Sequence, residues 1–212
     1  MKTVRSLAVS GALAASALFI PFASQAGVVT SLPGGTVLPM PAIDYEGAGP
    51  QVMAPGVTWS SASGGSVYGW ADGYGFGGNG FWSGTPMMGT NDTVSTMTVS
   101  FASPVAGVGA FLNYVEGMNA SIAVYDSSNN LIESMNLTFS TGGGDNTGMF
   151  YGFSESSANI AYFTMTGGYI GAADLTYTGQ AATDLPEPAS IALLSLGMIG
   201  IAALRRKAAS QA

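Results

Sequence analysis

Alternation of apolar and hydroxyl side chains is the main pattern in the second half of the chain. From residue 96 to residue 101, Met97, Val99 and Phe101 alternate with Thr or Ser, and every second residue from 108 to 114 is apolar or aromatic. A period of two is typical of a β-strand, because successive side chains of a strand point to opposite faces. These segments therefore predict two strands that each bury one face.

The rest of this half predicts further strands, at residues 121–125, 131–140, 149–153, 160–166 and 172–178. Turn-forming residues fill positions 126–130, so the first two of these strands should form a hairpin. On the second hairpin strand we expect one apolar face, interrupted by Glu133, that consists of Leu131, Met135, Leu137 and Phe139. Sustained helical periodicity is missing from the body of the sequence. The predicted fold class is all-β: an antiparallel β-sandwich, jelly-roll-like, in a single ectodomain.

The first half of the body is less regular. Residues 57–60 and 67–70 are the plausible strands, and five prolines divide the segments before them: Pro33, Pro39, Pro41, Pro50 and Pro55. Proline at this density favours edge strands and turns, because it cannot donate to a ladder of hydrogen bonds.

The N-terminus has the pattern of a secretory signal peptide over residues 1–26. Lys2 and Arg5 precede the uncharged run 7–20, and Ser24-Gln25-Ala26 supplies small residues for signal peptidase. We expect the mature chain to begin at Gly27.

The C-terminus repeats the membrane pattern over residues 185–207. Pro186-Glu187-Pro188 comes first, then an apolar segment at about 189–204, then Arg205-Arg206-Lys207. These 16 apolar residues would make about 24 Å of helix, so we expect one transmembrane helix whose flanking arginines snorkel to the surface. The basic cluster after it predicts a cytoplasmic C-terminus and an external body. Residues 208–212 are a short tail.

This C-terminal arrangement resembles the PEP-CTERM sorting signal of exported bacterial proteins. The resemblance implies a Gram-negative, exopolysaccharide-producing source and recognition of the tail by exosortase, which would cut near the tripeptide. Its sorting motif would consist of Pro186, Glu187, Pro188, Arg205 and Arg206, without a catalytic role. The alternative is a plain single-span anchor behind a proline-rich linker.

Composition narrows the chemistry of the body, residues 27–184, which is long enough for one domain with a real core. The chain has 12 Asp and Glu but 5 Lys and Arg, a net charge of −7, and neither Cys nor His. All five basic residues lie at the two ends, outside the segment that holds every carboxylate. Nucleic acid is therefore excluded as a partner, since phosphate binding draws on Lys and Arg. Thiolate, imidazole and disulfide chemistry are excluded as well.

The second half also resembles the jelly-roll or lectin-like domains often found before PEP-CTERM tails. The residues that carry this likeness are 101–109, 150–153, Ile160 and 174–177. They are mostly strand and turn patterns, so the resemblance implies a fold more than a binding activity.

Residues 64–84 are the candidate ligand-binding segment, with nine Gly and six aromatic residues in 21 positions. Aromatic rings stack on the C–H faces of sugars, while Asn and Asp orient hydroxyl groups. The predicted binding residues are Trp70, Tyr74, Trp82, Asp72 and Asn79. The alternative is that the rings pack in a core and the glycines permit tight turns.

Carboxylates suggest Ca²⁺ as a ligand, because hard cations take clustered oxygen donors. The candidate metal ligands are Asp44, Glu46, Asp145 and Asp174, although none belongs to a spaced calcium motif. Each of them is also a plausible turn or surface residue.

Taken together, the sequence predicts an exported, exosortase-sorted protein of the cell envelope or exopolysaccharide matrix that is not an enzyme. It would be anchored transiently in the inner membrane with its body in the periplasm, and would bind polysaccharide or serve a structural role. One alternative is a secreted glycoside hydrolase that uses a carboxylate pair, with for instance Glu116, Glu133 or Glu155 as the acid. Another is a purely structural biofilm or surface scaffold, whose mark would be self-association.

Overall fold

The computed structural model describes residues 27–179, so the predicted signal peptide and the predicted sorting signal lie outside the described residues. Within them the chain forms 16 β-strands and one short 3-10 turn, Gly77–Asn79. No helix in this part of the chain is long and apolar enough to cross a membrane. The strands are β1 Gly27–Val29, β2 Thr36–Val37, β3 Tyr45–Glu46, β4 Gln51–Ala54, β5 Val57–Ser61, β6 Val67–Trp70, β7 Tyr74–Gly75, β8 Phe81–Trp82, β9 Met87–Gly89, β10 Ser95–Val105, β11 Gly107–Tyr114, β12 Ala120–Tyr125, β13 Leu131–Leu137, β14 Met149–Ser154, β15 Ile160–Gly167 and β16 Ile170–Thr178.

Two large antiparallel sheets and a small ribbon contain these strands. The six-stranded sheet has the order β13-β12-β15-β10-β5-β4. The eight-stranded sheet has the order β1-β14-β11-β16-β9-β6-β3, with β2 also paired to β16, and β7 and β8 form the ribbon. Strand partners are antiparallel throughout these sheets. The predicted all-β antiparallel sandwich is confirmed.

The main core lies between the two large sheets, and the alternation in the sequence accounts for it. On β10, Met97 and Val99 have no exposed surface, whereas the residues that alternate with them, Thr96, Thr98 and Ser100, are half-buried. Trp59 and Phe163 on the neighbouring strands are also fully buried. Full burial of an apolar side chain of this size contributes about 1.5–3 kcal/mol. The packing of these strands is therefore the main source of stability.

A second core covers the opposite face of the eight-stranded sheet, beneath the β7–β8 ribbon. Neighbouring residues of one strand belong to different cores: Tyr68 packs in the main core and Val67 in the second, and Met88 and Met87 divide in the same way. Successive side chains of a strand point to opposite faces, so this part of the sheet is buried on both sides. The second core consists of Val67, Tyr74, Phe76, Trp82, Met87 and Ala173.

A β-bulge in β13 changes which of its residues face the core, so the structure differs here from the prediction. Glu133 pairs with buried Val124, but Leu131 pairs with Tyr125, so one residue is inserted between the two pairs. The insertion moves Leu131 to the outer face, where it is 56% exposed, while Leu137 remains buried. The prediction that Leu131 shares the face of Leu137 was therefore wrong.

The two ends of the described chain lie in one row across the eight-stranded sheet. Gly27 pairs with Ser154, Ser154 with Gly107, and Gly107 with Thr178. Three strand spacings of about 4.8 Å separate the ends of this row, about 14 Å in all. The opposite end of the same sheet is marked by the pair Tyr114 and Ile170.

Candidate functional site

A cleft at the Ile170 end of the eight-stranded sheet brings together several of the predicted residues. It has a volume of about 220 Å³, and Trp70, Tyr74 and Tyr169 contribute aromatic rings to its wall. Glu46 and Asn91, both exposed, add a carboxylate and an amide. We call these five residues the Trp70 cleft. Rings beside a few polar groups are the usual composition of a small-molecule site.

Two of the rings in the Trp70 cleft are held by hydrogen bonds. The indole Nε1 of Trp70 donates to the carbonyl of Gly73 at 3.1 Å. The hydroxyl of Tyr74 donates to the carbonyl of Thr90. Burial raises the pKa of Tyr74 above its ordinary value of 10.0, and Tyr169 raises it further. Tyr74 is therefore a neutral hydrogen-bond donor at neutral pH, and the cleft is preorganised by fixed rings.

Asn79 has a different position from the one that a ligand contact requires. It has no exposed surface. Its Nδ2 donates to the carbonyl of Tyr114 at 3.0 Å, and its Oδ1 accepts from the amide of Thr141 at 3.0 Å. Asn113 donates to the carbonyl of Asn79 at 2.9 Å. Asn79 thus joins the aromatic segment to β11 and to the loop after β13, and its contact with a ligand stays a prediction.

Trp82 lies in the second core and not in the Trp70 cleft. It is 2% exposed, its ring stacks on Phe111 with centroids 5.6 Å apart, and its Nε1 donates to the carbonyl of Thr147 at 2.6 Å. The remaining edge of the ring borders a smaller cleft of about 140 Å³ together with Asn146 and Asp174. Packing is the role that the geometry gives to Trp82. Asp72 is exposed and is not among the residues that line either cleft.

The structure distributes the four predicted metal ligands over different places. Asp44 accepts a hydrogen bond from the amide of Ala71 at 2.9 Å, and Glu46 lines the Trp70 cleft. Asp145 forms an isolated bridge with Phe81, and Asp174 borders the smaller cleft beside Trp82. Among residues 27–179 no group of three or more carboxylates is arranged to hold a metal ion. Calcium binding stays a prediction without a defined site.

Two candidate carboxylates lie on or beside strands of different sheets. Glu133 lies on β13 of the six-stranded sheet, and Glu155 follows β14 of the eight-stranded sheet. Burial raises the pKa of Glu155, and the charge of Glu133 raises it further. Both belong to the three residues that the sequence offers as the general acid of a hydrolase.

Sequence analysis did not find Tyr169 as a member of the cleft. Tyr169 is far along the chain from Trp70, and its backbone has a positive φ of 50° after the Gly167-Gly168 pair. The only local signal was a turn. Its approach to Trp70 depends on the pairing of β16 with β9 and of β9 with β6, which no short pattern specifies.

The class of the protein follows from its C-terminus. Residues 184–207 match the family model described as the PEP-CTERM protein-sorting motif. The chain therefore carries the signal of exported proteins that are sorted by exosortase, and the predicted sorting signal is confirmed. The match covers only the tail, so it identifies a sorting signal and says nothing about the activity of the β-sandwich.

Comparison with solved structures finds distant similarities. A fucose-binding module of Streptococcus pneumoniae is 14% identical over 44% of this chain and 70% of its own, with a TM-score of 0.32. The lectin domain of lectinolysin in complex with Lewis B antigen is 12% identical, and the match covers 45% of this chain and 72% of the lectin domain, also with a TM-score of 0.32. The enzymatically active domain of bacteriophage CBA120 tailspike protein 4 is 14% identical, and the match covers 57% of this chain and 18% of the tailspike chain, with a TM-score of 0.29. A search of curated proteins finds no significant match.

Proposed function

We propose that the protein is an exported component of the cell envelope or exopolysaccharide matrix that binds a polysaccharide at the Trp70 cleft. The observation that carries this proposal is the convergence of three aromatic rings, an exposed amide and an exposed carboxylate in one small cleft. Rings offer faces for sugar C–H groups, while Asn91 and Glu46 offer partners for hydroxyl groups. The role is binding and not catalysis.

The size and charge of the cleft narrow its ligand. Its volume of about 220 Å³ is below the ~300–1,000 Å³ typical of pockets for larger ligands, so it suits one sugar unit or the end of a chain. All Lys and Arg residues lie outside residues 27–179, and Glu46 adds a negative charge to the cleft. Acidic polysaccharides would be repelled, so a neutral glycan is the preferred ligand.

The test is a titration of the purified protein with neutral oligosaccharides, measured by calorimetry. Trp70→Ala should weaken binding by about fivefold, since a lost ring contact is worth about 1 kcal/mol. Asn91→Ala should weaken it without a change in melting temperature, because this side chain is exposed. Trp70→Phe, which keeps a ring, and Phe81→Ala, which removes an exposed ring outside the cleft, are the matched controls. Equal affinity of the wild-type protein and both cleft variants would remove the cleft from the account.

A hydrolase is the second candidate, and the Glu133–Glu155 interaction is the observation in its favour. A general acid needs a carboxyl group with a raised pKa, and burial beside a second carboxylate produces one. Release of reducing ends from a polysaccharide, lost in Glu155→Gln, would establish this activity. We expect no release from the wild-type protein.

Two further expectations accompany the binding role. Thermal melts in Ca²⁺ and then in EDTA test for a cation, because a ligand of the native state raises the melting temperature. Sedimentation of the wild-type protein tests the scaffold alternative, for which self-association without glycan would be the result. We expect a glycan-dependent shift as the main effect.

A further inference from the structure

The outer face of the six-stranded sheet is uncharged and rich in hydroxyl groups. Its four central strands, β5, β10, β12 and β15, contain no charged residue. On each of them the inward positions are apolar and the outward positions are mainly Ser, Thr or Tyr, which remain half-buried. A solvent-facing sheet surface without Lys or Glu is unusual, because charges normally keep such surfaces from associating.

One row of side chains crosses this face from edge to edge. Register pairs connect neighbouring strands all the way: Val52 with Thr58, Thr58 with Ser100, Ser100 with Tyr162, Tyr162 with Tyr125, and Tyr125 with Leu131. Five spacings of about 4.8 Å give the row a length of about 24 Å. Val52 and Leu131 at its ends are 72% and 56% exposed. The row therefore combines two aromatic rings, two hydroxyl side chains and an aliphatic group at each end.

A depression lies along the central part of this row. It has a volume of about 320 Å³ and is lined by Ser60, Thr98, Ser100, Tyr125, Tyr162 and Thr164. Asn129, from the turn after β12, closes one side and adds an amide. Each hydroxyl supplies one donor and two acceptor positions. Volume, rings and hydrogen-bonding groups together match the composition of a ligand site.

Charge decides which ligand this face accepts. Asp126, in the turn beside the depression, has a carboxylate that accepts hydrogen bonds at 2.8 Å from the Ser128 amide, the Asn130 amide and the Asn130 side chain. That carboxylate is therefore occupied within its own turn. The described residues contain carboxylates but neither Lys nor Arg, so an anionic chain has no counter-charge here and is repelled by the rest of the molecule. A partner without charge meets no such penalty.

We propose that this face, which we call the hydroxyl face, binds a chain of neutral polysaccharide that lies along the row. Sugar rings stack on Tyr125 and Tyr162, and sugar hydroxyl groups bond to the Ser, Thr and Asn side chains of the depression. The hydroxyl face is separate from the Trp70 cleft, which belongs to the eight-stranded sheet and accepts a single unit or a chain end. The inference does not depend on the cleft.

Affinity electrophoresis of the full chain in mild detergent tests this inference. The gels contain dextran, a soluble β-glucan or, as the anionic probe, alginate. Tyr162→Ala should reduce the association constant for a neutral polysaccharide by about tenfold, and Tyr162→Phe should retain it. Thr98→Glu places a charge in the depression and should abolish the slowing of the protein's migration by neutral polysaccharide. Thr36→Glu, on exposed β2 of the other sheet, is the matched control, and thermal melts confirm that every variant folds.

The outcomes separate the hydroxyl face from the Trp70 cleft. Loss of binding in Tyr162→Ala and Thr98→Glu, with binding kept in Trp70→Ala, supports the hydroxyl face even if the cleft proposal fails. Loss in Trp70→Ala alone overturns it and leaves the cleft as the binding site. Retardation by alginate only, or by no polysaccharide, also overturns it. So does a concentration-dependent dimer that Thr98→Glu dissociates, because the occupant would then be a second copy of the chain.

Discussion

Two buried tyrosines show how differently a hydroxyl group can be accommodated in this protein. Tyr68 is 1% exposed, and its hydroxyl has no hydrogen-bond partner among the described residues. Tyr74 is 7% exposed, and its hydroxyl bonds to the carbonyl of Thr90. A buried hydroxyl without a partner costs free energy, whereas a paired one contributes about 1 kcal/mol.

Substitution of each tyrosine by phenylalanine should therefore have opposite effects. We expect Tyr68→Phe to leave the free energy of unfolding unchanged or to raise it, because no hydrogen bond is lost. Tyr74→Phe should lower it by about 1 kcal/mol. Urea unfolding followed by tryptophan fluorescence measures both values. Equal destabilisation by the two variants would show that the hydroxyl of Tyr68 has a partner in solution.

Tyr74 also predicts a loss of stability at alkaline pH. Its folded-state pKa is raised above the ordinary 10.0, so the folded protein holds the proton more tightly than the unfolded chain does. The resulting stability is complete below about pH 10 and is lost as the pH rises towards the folded-state value. Melting temperatures between pH 8 and pH 11 should fall in the wild type, and less steeply in Tyr74→Phe. Parallel curves would contradict this assignment.

Strand alternation made much of the fold predictable at the scale of the element. Met97 and Val99 marked β10, and the turn residues 126–130 marked the β12–β13 hairpin, because both signals are local. The bulge before Glu133 was not predictable, since its extra residue carries no distinctive side chain. Strand β9 is buried on both faces where the ribbon covers it, so its continuous apolar residues have no alternation to detect.

The candidate site was predictable in part. Trp70 and Tyr74 were recognised because rings and glycines crowd one segment, and they do share a cleft. Asn79 and Trp82 come from the same segment but do not line the Trp70 cleft. Which ring faces solvent depends on the β7–β8 ribbon folding back over the sheet, and composition does not encode that direction.

The loop after β13 should depend on a single side chain. Asn79→Ala removes the bonds to the buried carbonyl of Tyr114 and to the half-buried amide of Thr141 and leaves both unpaired, which should cost about 2 kcal/mol. Hydrogen exchange at the amide of Thr141 should accelerate more than exchange in β10. Asn119→Ala, at an exposed loop position, is the control. Uniform acceleration across all strands would indicate that Asn79 supports the whole fold and not this loop.

The raised pKa of Glu155 predicts that the stability of the fold depends on pH. The pKa of Glu155 is raised, so its contribution to stability is present below the ordinary pKa of 4.5 and is lost as the pH rises through the folded-state value. Glu155→Gln should therefore raise the melting temperature at pH 7 and have little effect at pH 3.5. Glu116→Gln, at an exposed position, is the comparison. An unchanged melting temperature at pH 7 would show that the ionised carboxylate of Glu155 is not destabilised in the folded protein.

At the scale of the whole molecule, the sorting motif should determine where the protein is found. Replacement of Pro186, Glu187 and Pro188 by alanine alters the tripeptide near the start of the matched signal, residues 184–207. We expect the altered chain to be exported but to remain uncut in the membrane fraction. Immunoblots of cell fractions, with Ala208→Ser as a control outside the motif, measure this. Release of the altered chain at the normal rate would show that the tripeptide is not required.

The row that contains Gly27 and Thr178 places both ends of the described chain at one end of the eight-stranded sheet. Thr178 lies at one end of the eight-stranded sheet, and the chain continues from there towards the sorting signal, whereas Tyr169 and the Trp70 cleft lie at the Ile170 end. A tether that leaves from the first end directs the second end outward. While the tail is attached, the proposed glycan-binding cleft would therefore lie at the end of the sandwich farther from the point of attachment.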